Sequence, residues 1–141
     1  MKLSFLHVSE RQHAGLILLA ELARSYRARS FVALPEALNG MPLSSGYMEE
    51  IAGRLKRANL IVGRTGPHGG YRLSRPPSRI SMEDVTVALD GPVVFADCQV
   101  AGRACPVANR CLTKSAWNIL QQKILLVLRK TTLANVIRRT I

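Results

Sequence analysis

Between residues 11 and 26 apolar side chains recur at Leu16, Leu19, Ala20, Leu22 and Ala23, with Glu21 and Arg24 turned outward, which is the three-and-four spacing of an amphipathic helix. Residues 30–33 are short and partly β-branched, predicting a small strand, and 34–38 predict a short helix stopped at Asn39-Gly40. Leu43-Ser44-Ser45-Gly46 is a helix start, because a serine hydroxyl accepts from the free N–H groups of a first turn. That helix is expected to run to about Leu60. Met48, Ile51, Ala52, Leu55 and Ala58 form its apolar side, and Gly46, Tyr47, Glu50, Gly53, Arg54 and Arg57 its other face.

Two short strand patterns follow, Leu60-Ile61-Val62 and Tyr71-Arg72-Leu73, separated by a run containing Gly63, Gly66, Gly69 and Gly70. This predicts a hairpin with a glycine-rich tip. Ser81 and Asp84 have the spacing of a capping box for a helix to Leu89. Thr113 is placed to cap a last long helix through Lys130, with a stripe of Trp117, Leu120, Ile124, Val127 and Leu128 that reads as a dimerisation surface or as a face packed on its own core. Residues 133–137 suit a short terminal helix.

Helix, short helix, helix and hairpin is the order of a winged helix-turn-helix, so the expected fold is mainly α with a small β-hairpin wing. Residues 1–80 would form the winged part, and 81–141 a cysteine loop and long helix, in one compact chain. With 141 residues and 48% hydrophobic content there is enough for one core.

Charge adds a partner to this picture. The net charge is +11, and between Arg24 and Arg79 ten basic residues (Arg24, Arg27, Arg29, Arg54, Lys56, Arg57, Arg64, Arg72, Arg75, Arg79) face three acidic ones (Glu36, Glu49, Glu50). A localised excess of this size is a footprint for phosphate-rich polymers, double-stranded DNA first among them. The basic residues do not lie along one amphipathic helix, and the longest apolar runs are far shorter than the ~20 residues that span a bilayer, so a membrane partner is not expected. Catalysis lacks its residues: there are three histidines, and neither His-Glu-x-x-His nor G-x-S-x-G occurs. No enzyme and no small-molecule substrate is expected.

Cys98, Cys105 and Cys111 are the chain's three cysteines and fall within fourteen positions. Packing cysteines scatter, whereas metal or iron–sulfur binding needs thiolates brought together on flexible backbone. Three thiols cannot all pair in one chain, no secretory pattern opens it, and the gaps of six and five residues are not C-x-x-C. A cytoplasmic protein without a disulfide framework is therefore expected. An iron–sulfur cluster is the leading reading, since three thiolates leave one iron position for a weaker, exchangeable ligand. A zinc or redox-thiol site, and cysteines without a cofactor, stay open. His7, Glu10 or His13 of a partner subunit are candidates for the fourth ligand, and each also reads as a solvated helix residue. A small iron–sulfur electron carrier would explain the cysteines but leave the basic helix and hairpin unused.

Several stretches together resemble the IscR/NsrR-type winged-helix regulators of bacteria. They are Met1-Lys2-Leu3-Ser4, Leu43-Ser44-Ser45-Gly46-Tyr47-Met48-Glu49, Gly66-Pro67-His68-Gly69-Gly70-Tyr71-Arg72-Leu73, Arg75-Pro76-Pro77 with Ile80, Ala88-Leu89-Asp90-Gly91-Pro92 and Cys111-Leu112-Thr113 with Trp117. The resemblance implies a homodimeric DNA-binding transcription factor that senses iron–sulfur status, nitric oxide or redox state through a [2Fe–2S] or [4Fe–4S] cluster. It places Gly46, Tyr47 and Glu49 near the bases. Beside them, Ser45 and His68 are expected at the DNA, and Arg54, Arg57 and Arg64 on phosphates. The chain departs from the pattern where Thr65 stands in place of the arginine before the hairpin Gly-Pro, and where Lys114 replaces a histidine three residues after the last cysteine.

Overall fold

The computed structural model describes residues 7–100 and 102–138, so the Met1–Ser4 match lies outside the described residues. In chain order the elements are α1 (Glu10–Arg24), α2 (Leu34–Ala37), α3 (Ser45–Arg57), the antiparallel hairpin β1 (Ile61–Arg64) and β2 (Gly70–Leu73), α4 (Met82–Asp90), α5 (Lys114–Lys130) and α6 (Leu133–Arg138). Ile61 pairs with Leu73 and Arg64 with Gly70 across the hairpin. This is a winged helix-turn-helix with a long helix appended, as the pattern predicts.

α1 starts where Ser9 accepts from the Gln12 N–H. Its buried residues are Ala14, Gly15, Leu18, Leu19 and Leu22, so the core stripe is rotated from the expected one: Leu16, Ala20 and Ala23 are only half-buried. The rotation follows from α4 packing against Gly15, where an added Cβ would lie 2.5 Å from the Leu89 side chain. The strand expected at 30–33 shrinks to one bridge between Val32 and Tyr71.

α3 ends three residues early, and for a local reason. Asn59 takes a left-handed conformation with φ 58°, the Leu60 N–H reaches the Leu55 carbonyl, and the Asn59 N–H reaches that of Lys56. This is a Schellman closure, sealed by burial of both Leu55 and Leu60. Ala58, expected on the apolar side, falls at the cap and is exposed.

The capping box at Ser81 and Asp84 forms in both directions. Thr113 stands at the cap of α5 but makes no side-chain capping bond, because its hydroxyl is turned to the Cys111 sulfur. α6 is too short to be stable alone. It is held by burial of Leu133 and by two backbone bonds of 2.8 Å, Met82 N–H to Thr131 and Leu133 N–H to Ile80. One core therefore draws on both the 1–80 and 81–141 segments: Leu18, Ile51 and Ile61 sit in it beside Val85, Leu89 and Leu133.

Candidate nucleic-acid interface and cysteine loop

Ser44 caps α3 by accepting from the Tyr47 N–H at 3.2 Å, which sets Ser45 and Gly46 in the exposed first turn. Around Gly46 the space is open. Tyr47 is half-buried and packs against the core, so only part of it is open to the surface. Glu49 is exposed and accepts from the Tyr71 hydroxyl at 3.3 Å. The Tyr71 phenol is pushed above its usual range, first by burial and then by the Glu49 charge beside it.

The three arginines expected on phosphates separate into different roles. Arg57 is exposed at the end of α3. Arg54 is committed inside the molecule: it pairs with Glu50 at 3.2 Å and donates to the Leu89 carbonyl at 3.2 Å. Arg64 folds back over the hairpin, donating to the His68 carbonyl at 2.7 Å with its guanidinium 4.3 Å from the Phe31 ring centre. Arg72 lies 5.0 Å from the same ring. The exposed tip beyond it consists of Thr65, Gly66, Pro67 and His68.

Phe31 and Tyr71 are the residues that sequence reasoning passed over as site residues, and Arg72 it counted only within the basic excess. Tyr71 carried a signal, an aromatic residue opposite Gly63 in a hairpin; nothing in the sequence marked Phe31 as a platform for arginines.

The Leu89 carbonyl at the end of α4 also accepts from Arg11 at 3.0 Å, and Asp90 is held by Ser9 at 2.6 Å and by Arg11 at 3.3 Å. Directly after this clamp the chain enters the cysteine loop. Cys98 is exposed in a single turn of 3-10 helix (Asp97–Gln99), and Cys105 and Cys111 are half-buried, all three as free thiols. Gln99 ties the loop down, accepting from the Phe95 and Ala96 N–H groups and donating to Asn118 of α5 at 3.2 Å. The Cys111 thiol is held below its usual range, first by the Thr113 hydroxyl, 3.5 Å from the sulfur, then by backbone N–H groups at the start of α5.

This donor set suits a thiolate-ligated iron–sulfur group, because none of the three thiols is fully buried and the pKa of one is lowered. Among the described residues no three His, Cys, Asp or Glu side chains stand close enough to share a metal. The loop would have to draw its cysteines together around one. His7, Glu10 and His13 are exposed at the start of α1. His7 lines a groove of about 380 Å³ with Phe95, Ile124 and Leu128.

α5 buries no residue fully. Ile124 and Leu128 of the expected stripe are half-buried, while Leu120 (44% exposed) and Val127 (62%) face solvent with Ile119 (54%) and Leu126 (50%). At 100° per residue Ile119 and Leu126 lie away from the half-buried pair, while Leu120 and Val127 border Ile124. No described helix is long and apolar enough to cross a membrane.

The fold and this exposed helix and hairpin define a winged helix-turn-helix regulator. Residues 8–139 match the Rrf2 family, described as an iron-dependent transcriptional regulator. The chain belongs to that family. It is 33% identical over 106 residues to the HTH-type transcriptional regulator IscR of Yersinia pseudotuberculosis serotype O:1b (strain IP 31758), covering 75% of this chain but only 64% of that relative. Its fold is similar to that of CymR, the global cysteine regulator of B. subtilis, with a TM-score of 0.73 at 25% identity over 96% of this chain and 98% of CymR. It is also similar to T. potens IscR, with a TM-score of 0.74 at 28% identity over 97% of this chain and 90% of that one. These relatives are regulators, not enzymes.

Proposed function

We propose that this chain is a homodimeric DNA-binding transcriptional regulator whose α3 enters the major groove while the hairpin lies along the phosphates. The observation that carries this reading is an exposed α3 face, Ser45, Gly46, Glu49 and Arg57, flanked by the basic hairpin in a chain of net charge +11. Arg57, Arg72 and the outer side of Arg64 supply phosphate contacts, and Ser45, Glu49 and His68 are the polar groups nearest the bases. Two copies would join through Ile119, Leu120, Leu126 and Val127, four large apolar side chains that α5 leaves exposed.

Cys98, Cys105 and Cys111 would hold an iron–sulfur cluster, [2Fe–2S] or [4Fe–4S], with a fourth ligand from His7, Glu10 or His13 of the partner subunit. Such a cluster, when bound, supplies redox- and nitric-oxide-sensitive thiolate-to-iron bonds at the loop. This chain's own residues do the rest: the loop follows the Asp90 clamp, so its conformation biases how α4 sits against α1 and α3, and operator affinity follows the difference between the two forms.

A second reading has an observation of its own. Cys111 lies 3.5 Å from the Thr113 hydroxyl, which lowers its pKa, and Cys98 is exposed, which suits a regulator that works through thiol chemistry.

One experiment separates the two. The protein is purified without oxygen and its optical spectrum, iron and sulfide are measured together, for the wild type and for Cys105→Ser. Visible charge-transfer bands with matching iron and sulfide, lost in Cys105→Ser together with the DNA response, are expected for the cluster. A colourless, iron-free protein that still binds DNA would replace it with the thiol reading.

A further inference from the structure

We propose that Tyr71 is a positioning residue for base selection: its phenol holds the Glu49 carboxylate on the exposed face of α3, so that the hairpin sets the direction of the helix's acceptor. This rests on the DNA-binding reading of α3 given above.

Tyr71 is fixed before it reaches Glu49. Its backbone exchanges both hydrogen bonds with Val32, at 2.8 and 2.9 Å, and it stands opposite Gly63 in the hairpin. The ring lies across that glycine, so closely that a Cβ on Gly63 would sit 3.1 Å from Cε1. Half-buried and packed on the core, the ring has one polar atom left to satisfy, and its hydroxyl donates to Glu49 Oε2. Burial and the adjacent carboxylate both raise the phenol's pKa, so it remains a protonated donor at neutral pH.

Glu49 lies on the long, otherwise mobile side chain of an exposed helix position. A carboxylate is only an acceptor, and beside DNA it is repelled by phosphate unless a base-edge amino group meets it. With Oε2 held by the phenol, Oε1 is directed at a narrow part of the groove. Without that bond the carboxylate samples several rotamers, and its preference spreads over neighbouring positions. Lys56 and Arg64 line the same recess between α3 and the hairpin, about 490 Å³ in volume, which places compensating charge nearby without pinning the acceptor.

The test uses the full chain in three variants, Tyr71→Phe, Glu49→Gln and the double variant. Phenylalanine keeps the ring on Gly63 and removes only the hydroxyl. Each is measured for binding to a mixed-sequence duplex over a salt series, and for the sequences it enriches from a randomised duplex library.

Tyr71→Phe is expected to keep the mixed-sequence affinity and salt slope while weakening discrimination at one or two base pairs roughly fivefold or more. The double variant should match Glu49→Gln alone, because the hydroxyl acts through that carboxylate. A Tyr71→Phe variant that enriches the same sequences as strongly as wild type would overturn the inference. So would a double variant whose losses simply add. A wild-type chain that binds no duplex at any salt concentration would instead remove the DNA-binding reading, and this inference with it.

Discussion

Arg54 and Arg57 sit three positions apart on α3, and their surroundings give them separate work. Arg54 spends its donors on Glu50 and on the end of α4, whereas Arg57 projects from the last turn into solvent. Alanine at Arg57 should weaken binding to all duplexes about equally and lower the slope of log affinity against log salt by roughly one; an unchanged slope would take this residue out of the footprint. Sequence alone assigned both arginines to phosphate, because a basic side chain on a polar helix face looks the same whether its donors are free or already used. The same limit applies to Arg64, whose stacking on Phe31 depends on a residue thirty-three positions earlier.

Elements with local stop and start chemistry were the most legible. The Ser44 cap, the Ser81–Asp84 box and the glycine-rich hairpin follow from neighbours a few residues apart. Removing the Ser81 hydroxyl with alanine should cost about 1 kcal/mol, seen as a fall of roughly 3–5 °C in the thermal midpoint; calorimetry showing no change would mean that Asp84, also held by Arg75, carries the cap unaided. Where packing overrides local pattern the sequence misled. The α1 stripe turned toward the crossing at Gly15, and the cap expected of Thr113 gave way to its contact with Cys111. Leu89 is too far along the chain from Gly15 to leave a periodic signal, and Cys111, though only two residues from Thr113, competes for its hydroxyl through loop geometry that the pattern does not encode.

For the whole molecule, the order of elements carried the fold, and the shared core explains why the two segments do not separate. The arrangement of the cysteines was much less legible, since spacing singles out the three thiols but not the shape of the loop that carries them. α5 bears on the proposed dimer. A glutamate at Leu126, half-exposed on the apolar side, should convert a dimer to a monomer in analytical ultracentrifugation without unfolding the chain, because that side chain takes no part in the core. A variant that sediments as wild type would move the dimer contact elsewhere.

One peptide group joins these scales. The carbonyl of Leu89 accepts from Arg11 of α1 and Arg54 of α3, and two residues later the backbone turns at Gly91 with φ 89° into the cysteine loop. It works as a keystone: a tilt of this single carbonyl would exchange two guanidinium bonds together. A pull on the loop would therefore be felt by α1 and α3 in the same motion, through the two arginine side chains that meet on this oxygen.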